Sequence, residues 1–150
     1  MKKIWIETRV KGQPREIFSR FNEDLFRALK PPGMNLEIMR FDGCKLGDSV
    51  HLNVGLFGIT QRWHSLITES VLDDQECYFT DEGTKLPPPL EIWKHTHRIR
   101  RFDEHSSLII EDILFTTTPK FIESTMQKIL EFQFKLRGPV YKKFFGSIDT

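Results

Sequence analysis

The feature that most restricts the fold is a change of period late in the chain. Up to residue 117 the apolar residues recur mainly at every second position, in strand-length segments separated by turn signals. After Thr118 they recur at every third or fourth position. Ile4, Ile6, Thr8 and Val10 alternate with Trp5, Glu7 and Arg9, which predicts a half-buried first strand. Two short helices follow. Pro14 opens one, with Ile17, Phe18 and Phe21 inward, and Asn22 caps the other, with Leu25, Phe26 and Leu29 inward. Pro31-Pro32-Gly33 ends the second helix.

Six further strands are expected: 36–41, 49–56, 59–71, about 77–81, 91–102 and 107–117. Val50, Leu52, Val54 and Leu56 lie on one side of the second of these, and Ile59, Trp63 and Ile67 on one side of the third. Residues 83–90 read as a loop, and 103–106 as the turn of a hairpin. In the last segment Thr118 is expected to cap a long helix and Pro119 to occupy its first turn. Ile122, Met126, Ile129, Gln133, Leu136, Val140 and Phe144 give its apolar stripe. Gly138-Pro139 should kink it, and Gly146 should end it. Hairpin-linked strands imply an antiparallel sheet, and one amphipathic helix must cover its apolar face. The predicted class is α+β, a single domain over 1–150. A curved seven-stranded antiparallel sheet wraps around the C-terminal helix, with two short helices between strands 1 and 2. The space between sheet and helix is the expected pocket.

Composition narrows the function. A net charge of +1, from 22 basic and 21 acidic residues, argues against a dedicated nucleic-acid binder. No apolar run approaches the ~20 residues of a membrane span. Lys2 and Lys3 are followed by Glu7 and Arg9 rather than by an apolar segment, which argues against a secretory leader. Cys44 and Cys77 have neither metal nor disulfide spacing, so two free thiols in a reducing cytoplasm are expected. Phosphate loops, nucleophile elbows and Cys-x-x-Cys pairs are absent, and no cofactor or resident metal is expected. The 13 Phe are the unusual number. Eight of them (Phe18, Phe21, Phe26, Phe121, Phe132, Phe134, Phe144, Phe145) fall on predicted helices, where they are expected to line and close the curved sheet.

Chemistry concentrates in Trp93-Lys94-His95-Thr96-His97-Arg98-Ile99. On a strand, Trp93, His95, His97 and Ile99 share one face, and the polar set faces the other way. The two histidines therefore point toward the helix and require polar partners. A two-residue turn at 104–105 pairs His97 with Asp112, and a slip of one residue replaces Asp112 by Glu111. Three readings stay open. The group is a structural polar network, a recognition element for the polar part of an apolar ligand, or a catalytic or metal site. His51, His64 and His105 fall on polar faces or in a turn.

The stretch Pro89 to Ile99, with its Trp-x-His-x-His core, resembles bacterial SRPBCC proteins of the START/Bet v 1-like superfamily. Asp112 followed by Pro119, Phe79-Thr80-Asp81, and Gln133 to Tyr141 are similar too. The resemblance spans essentially the whole chain in element order. The sequence departs from the common pattern at Pro87-Pro88-Pro89, where relatives often carry Gly-Pro. The resemblance implies a helix-grip fold with a deep hydrophobic cavity. Members bind lipids, sterols, polyketides or other apolar molecules, and some are cyclases or dehydratases. Carry-over is limited to Trp93, His95, His97 and Asp112.

The expected function is binding of an apolar small molecule by a cytoplasmic protein, monomeric or homodimeric, with no nucleic-acid partner and no membrane span. The expected apolar lining is Val54, Trp63, Ile67, Phe79, Trp93, Ile110, Leu114, Met126, Ile129 and Leu130. His95, His97 and Asp112 would orient a polar group, with Gln133 and Arg137 on the helix side. One alternative is a cyclase, dehydratase or hydrolase-like enzyme with His97 and Asp112 as its acid–base pair. The other is an interaction module with Phe144, Phe145 and Trp5 exposed.

Overall fold

Bulges bend this sheet into a trough, and the C-terminal helical segment lies in it. The computed structural model describes residues 1–56 and 58–148; the Leu56 side chain, counted above in the third strand, lies outside the description. The elements are β1 (Lys2–Lys11), α1 (Pro14–Ser19), α2 (Glu23–Ala28), β2 (Asn35–Phe41), β3 (Ser49–Leu56), β4 (Ile59–Val71), β5 (Glu76–Lys85), β6 (Leu90–Arg101) and β7 (Ser106–Thr117). A short 3₁₀ turn (Lys120–Ile122), α3 (Glu123–Lys135) and α4 (Arg137–Phe145) complete the chain. The strands form one antiparallel sheet in the order β1-β7-β6-β5-β4-β3-β2. Register breaks at Ile38/Arg40, His64/Ser65, Ile67/Glu69 and Leu90/Ile92 mark where extra residues bend the strands. This is the expected helix-grip arrangement.

Local signals account for the first turns. Asn22 Oδ1 accepts the Leu25 N–H at 3.0 Å and caps α2, and Pro14 occupies the first position of α1. Three expectations need correction. The stretch 83–85 belongs to β5, where Lys85 pairs with His64, so the loop shrinks to the proline-rich turn. Thr118 does not cap the last helix. Pro119 is extended, and the Glu123 carboxylate accepts the Thr117 N–H at 3.1 Å instead. The helix breaks at Leu136 rather than at Gly138-Pro139 themselves. The reason is that a proline ring excludes the carbonyl four residues earlier, here Lys135.

The inward stripe of the helix also differs from the expected one. It runs through Met126, Leu130, Phe134, Arg137, Tyr141 and Phe145. Ile129 is 47% exposed and Phe132 67%, so they face solvent, as does Phe121. The stripe carries Arg137 and a tyrosine among its apolar residues, and a pattern of hydrophobicity alone passes over it. Phe145 is buried and Phe144 packs against the same cluster, so they form no exposed patch with Trp5. The phenylalanine excess therefore divides between packing and solvent.

Two apolar clusters fill the trough. One joins Val10, Ile17, Leu25, Leu29, Ile99, Ile109, Tyr141 and Phe145. The other joins Ile4, Leu90, Trp93, Ile113, Phe115 and Leu130. The residues between them on β6, β7 and the helix are His95 and His97, Glu111, and Gln133 and Arg137. A polar belt therefore crosses the concave face. Among the described residues no helix is long and apolar enough to cross a membrane.

The corrected stripe has a direct consequence for stability. Leu130→Ala should cost ~2–5 kcal/mol through the cavity it leaves, whereas Ile129→Ala should stay within about 0.5 kcal/mol. Urea unfolding of the two variants beside the parent protein checks the contrast. Equal losses would contradict the helix orientation.

Candidate functional site

Three-residue geometry at one hairpin decides which carboxylate enters the belt. Asp103 Oδ1 accepts the His105 N–H at 2.9 Å and the Ser106 hydroxyl at 2.8 Å, and Phe102 N–H reaches Ser106 O. The loop is thus Asp103-Glu104-His105, one residue longer than the two-residue turn. His97 pairs with Glu111, and Thr96 with Asp112. An odd-length loop reverses the parity of every pair. Glu111 points into the trough, and Asp112 lies on the convex face. There Asp112 accepts from Arg98 Nε at 3.0 Å and stands 3.7 Å from Lys3 Nζ.

Ile110 and Leu114 share the parity of Asp112 and also leave the expected lining. Leu114 borders a convex-face groove with Lys94, Thr96, Arg98 and Asp112, and Ile110 lies between Glu7 and Arg98 in the register. Ile129 is excluded by its exposure, and Met126 packs against the second core cluster away from the cavity.

The remaining expected residues meet in one cavity of about 190 Å³ between the sheet, α2 and the helix. Val54, Trp63, Ile67, Phe79, Trp93 and Leu130 contribute apolar surface, and His95, His97, Gln133 and Arg137 contribute polar groups. Sequence reasoning missed the wall supplied by α2 and its flanks, including Phe21, Leu25, Phe26 and Leu29, together with Cys44 and Asp81. For Asp81 a signal was present. It lies two residues after Phe79 on β5, so the two share a face. No local signal separated Glu111 from Asp112, because β7 is apolar on both faces.

The rings form a column. Phe79 stacks on His97 at 4.2 Å between centroids, and His97 stacks on His95 at 3.6 Å. Trp93 and Phe134 meet His95 edge-on, at 5.9 and 5.4 Å. Each imidazole takes a carboxylate diagonally across the sheet. His97 Nε2 lies 2.7 Å from Asp81 Oδ2, although the register partner of Asp81 is His95. His95 Nε2 lies 2.5 Å from Glu111 Oε2, although the register partner of Glu111 is His97. Diagonal neighbours are within reach of long side chains.

Glu111 is the hub. Tyr141 donates its hydroxyl to Oε1 at 2.5 Å, and Arg137 Nη1 donates to Oε1 at 3.3 Å and to Oε2 at 3.5 Å. Burial pushes the Glu111 carboxyl up, but the Arg137 guanidinium and His95 more than offset this and hold it well below the usual carboxylate range. Burial and the Glu111 charge push Tyr141 well above the usual phenol value, so it stays a donor. Burial also opposes ionisation of Asp81, yet the His97 hydrogen bond and the nearby cationic groups leave its pKa lowered. Burial and His95 lower the pKa of His97 against the pull of Asp81, which favours the neutral ring. Burial pushes the Cys44 thiol up to about 12, so this cavity-lining sulfur is a weak nucleophile.

Chemically, the arrangement offers an apolar cavity with acceptors at its floor. Asp81, His95 and His97 each offer a ligating atom, all within 4.8 Å of one another. Cys44 and Cys77 are both free.

No protein-family model and no curated protein matches this sequence. Solved structures do. Truncated norcoclaurine synthase from Thalictrum flavum has a TM-score of 0.68 at 14% identity, over 98% of this chain and 95% of its own. Protein Ms6760 from Mycobacterium smegmatis has a TM-score of 0.68 at 12% identity, over 99% and 93%. Hypothetical protein jhp0584 from Helicobacter pylori has 0.66 at 13%, over 96% and 88%. At such identities the likeness is one of fold alone, the helix-grip fold.

The hub should dominate stability. Glu111→Gln should cost ~3–5 kcal/mol by leaving buried partners unbalanced, and Asp112→Asn about 1 kcal/mol or less. Acidification should destabilise the parent protein in two stages. His97 titrates below its ordinary 6.5 in the folded state, so as pH falls past that value the unfolded chain takes up the proton first. Asp81 and Glu111 are lowered from 3.8 and 4.5. The stability they contribute is complete above those values and is lost as pH falls through the lowered ones. Thermal midpoints measured from pH 8 to 3 check both stages. A flat profile across that range would contradict the burial of the network.

Proposed function

We propose that the protein binds a small, largely apolar molecule carrying a neutral hydrogen-bonding group, in the cavity between sheet and helix. The observation that carries this reading is the cavity itself, apolar along most of its walls, with Asp81, His95, His97 and Arg137 gathered on one side and Asn22, Lys30 and Ser65 elsewhere in the lining. Its volume of about 190 Å³ is on the scale of the ~150 Å³ apolar cavity known to take benzene, so the ligand's buried part has the size of one or two rings. Asp81 and Glu111 face one guanidinium, Arg137, which is already committed to Glu111. An anionic head would meet the Asp81 carboxylate there, whereas a hydroxyl can donate to Asp81 or to an imidazole nitrogen. The solved structures that share the fold include norcoclaurine synthase, which supports a cavity-centred role without specifying it.

Titration with 2-naphthol and 2-naphthoate in chelator-containing buffer, read by fluorescence of Trp63 and Trp93, tests the proposal. Naphthol should bind at least tenfold more tightly than naphthoate. Leu52→Trp, which fills the cavity, should abolish binding while thermal unfolding stays cooperative. Binding of neither compound, or binding untouched by Leu52→Trp, would reject the assignment.

A second reading has its own observation. His97 with Asp81, at 2.7 Å, has the geometry of a general acid–base and its orienting carboxylate. The acid–base alternative thereby moves from Asp112 to Asp81. Turnover of a bound ketone or phenol that vanishes in His97→Ala, with binding retained, would mark an enzyme.

A further inference from the structure

The floor of the cavity gathers Asp81, His95 and His97, whose ligating atoms lie within 4.8 Å of one another. Glu111 accepts from Tyr141 and Arg137, so its carboxylate acts as an acceptor toward His95 as well. With a neutral ring, His95 Nε2 carries the proton toward Glu111 and Nδ1 presents a lone pair. Among the described residues Nδ1 makes no hydrogen bond, and Asp81 Oδ2 stands 3.9 Å away. His95 is 3% exposed, so this lone pair has only the cavity to face.

We propose that Asp81, His95 and His97 bind one divalent first-row transition-metal ion at the cavity floor, through Asp81 Oδ2, His95 Nδ1 and His97 Nε2. Bonds of ~2.0–2.1 Å place neighbouring donor atoms ~2.9–3.4 Å apart in octahedral or tetrahedral sites. The observed separations of 2.7 Å for His97–Asp81 and 3.9 Å for His95–Asp81 straddle that range. Closing the site requires the stacked His95 and His97 rings to turn so that their in-plane lone pairs converge on the ion. The ion takes the place of the hydrogen between His97 and Asp81.

Two imidazoles and one carboxylate suit zinc, cobalt, nickel or iron(II), while calcium and magnesium favour all-oxygen sets. The three donors come from adjacent strands on one face, so the remaining coordination positions open into the cavity. The layer behind is also of the kind metal sites use. The Glu111 carboxylate holds His95 by its second nitrogen, and Tyr141 and Arg137 hold Glu111. Asp81 is the anchor that the His-x-His spacing lacks in the sequence, because it arrives from the neighbouring strand.

The inference stands apart from the organic ligand, and its test uses metal alone. Chelator-stripped protein is titrated with zinc by calorimetry and with cobalt by visible absorption. One equivalent should bind, with ligand-field bands from cobalt. Asp81→Asn and His97→Ala should each weaken binding at least tenfold. Glu111→Gln should weaken it by ~10–100-fold at unchanged stoichiometry. The stacked surface pair His51 and His64, 3.9 Å apart, is the competing metal binder, and the double variant His51→Ala/His64→Ala should retain the site. In the wild-type protein, cobalt should shift the ring resonances of His95, His97 and Trp93 most strongly, a readout that requires no variant to fold. Absence of stoichiometric binding would overturn the proposal. So would cobalt shifts centred on His51 and His64, or binding unaffected by Asp81→Asn.

Discussion

A carboxylate buried in an apolar trough is the constraint around which the rest of this structure is arranged. Glu111 sits in the inner row of β7 between Ile109 and Ile113, where an unpaired charge would cost several kcal/mol. It is tolerated because two elements bring three donors to it: β6 supplies His95, and α4 supplies Arg137 and Tyr141. Those bonds tie the C-terminal helix to the sheet at one register. Apolar packing in the two flanking clusters adds stabilisation but is far less directional.

The belt built on Glu111 also shapes the space beside it. Where β6, β7 and the helix carry polar groups, the two apolar clusters cannot merge across the trough. The break of the helix at Leu136, imposed by Pro139, turns α4 so that Arg137 and Tyr141 both reach the belt. Sheet curvature supplies the third wall, because bulges in β4 swing β3 and β2 toward α2. The cavity is thus a product of curvature, a bent helix and a row of groups that must stay hydrogen-bonded. The same requirement directs His97 to Asp81 and leaves one face of His95 turned to the cavity.

Much of this was legible in particular residues. The alternation of Ile4 to Val10, the cap at Asn22 and Pro14 at a helix start each act within a few residues, and each appears where local chemistry places it. The inward direction of Trp93, His95 and His97 followed from a polar set on the opposite face of the same strand. Ile110, Asp112 and Leu114 were misplaced together, because one loop residue decides the parity of all three. Ile129 was misplaced because the buried stripe of the helix contains Arg137 and Tyr141. These residues are polar by composition, and are buried only because Glu111 is there to receive them.

By itself, then, the sequence determined the element order, the antiparallel sheet, the helix that covers it, and the strand face on which two histidines meet. These depend on periodicity and on turn chemistry, which act over short stretches of chain. Only the tertiary structure decided which acid meets which histidine. Asp81 comes from β5, Glu111 from β7, and Arg137 and Tyr141 from the helix, separated by tens of residues along the chain. Their meeting is set by strand register and by the bend of the helix. Both are fixed by the burial of charge, a balance that no local pattern of residues records.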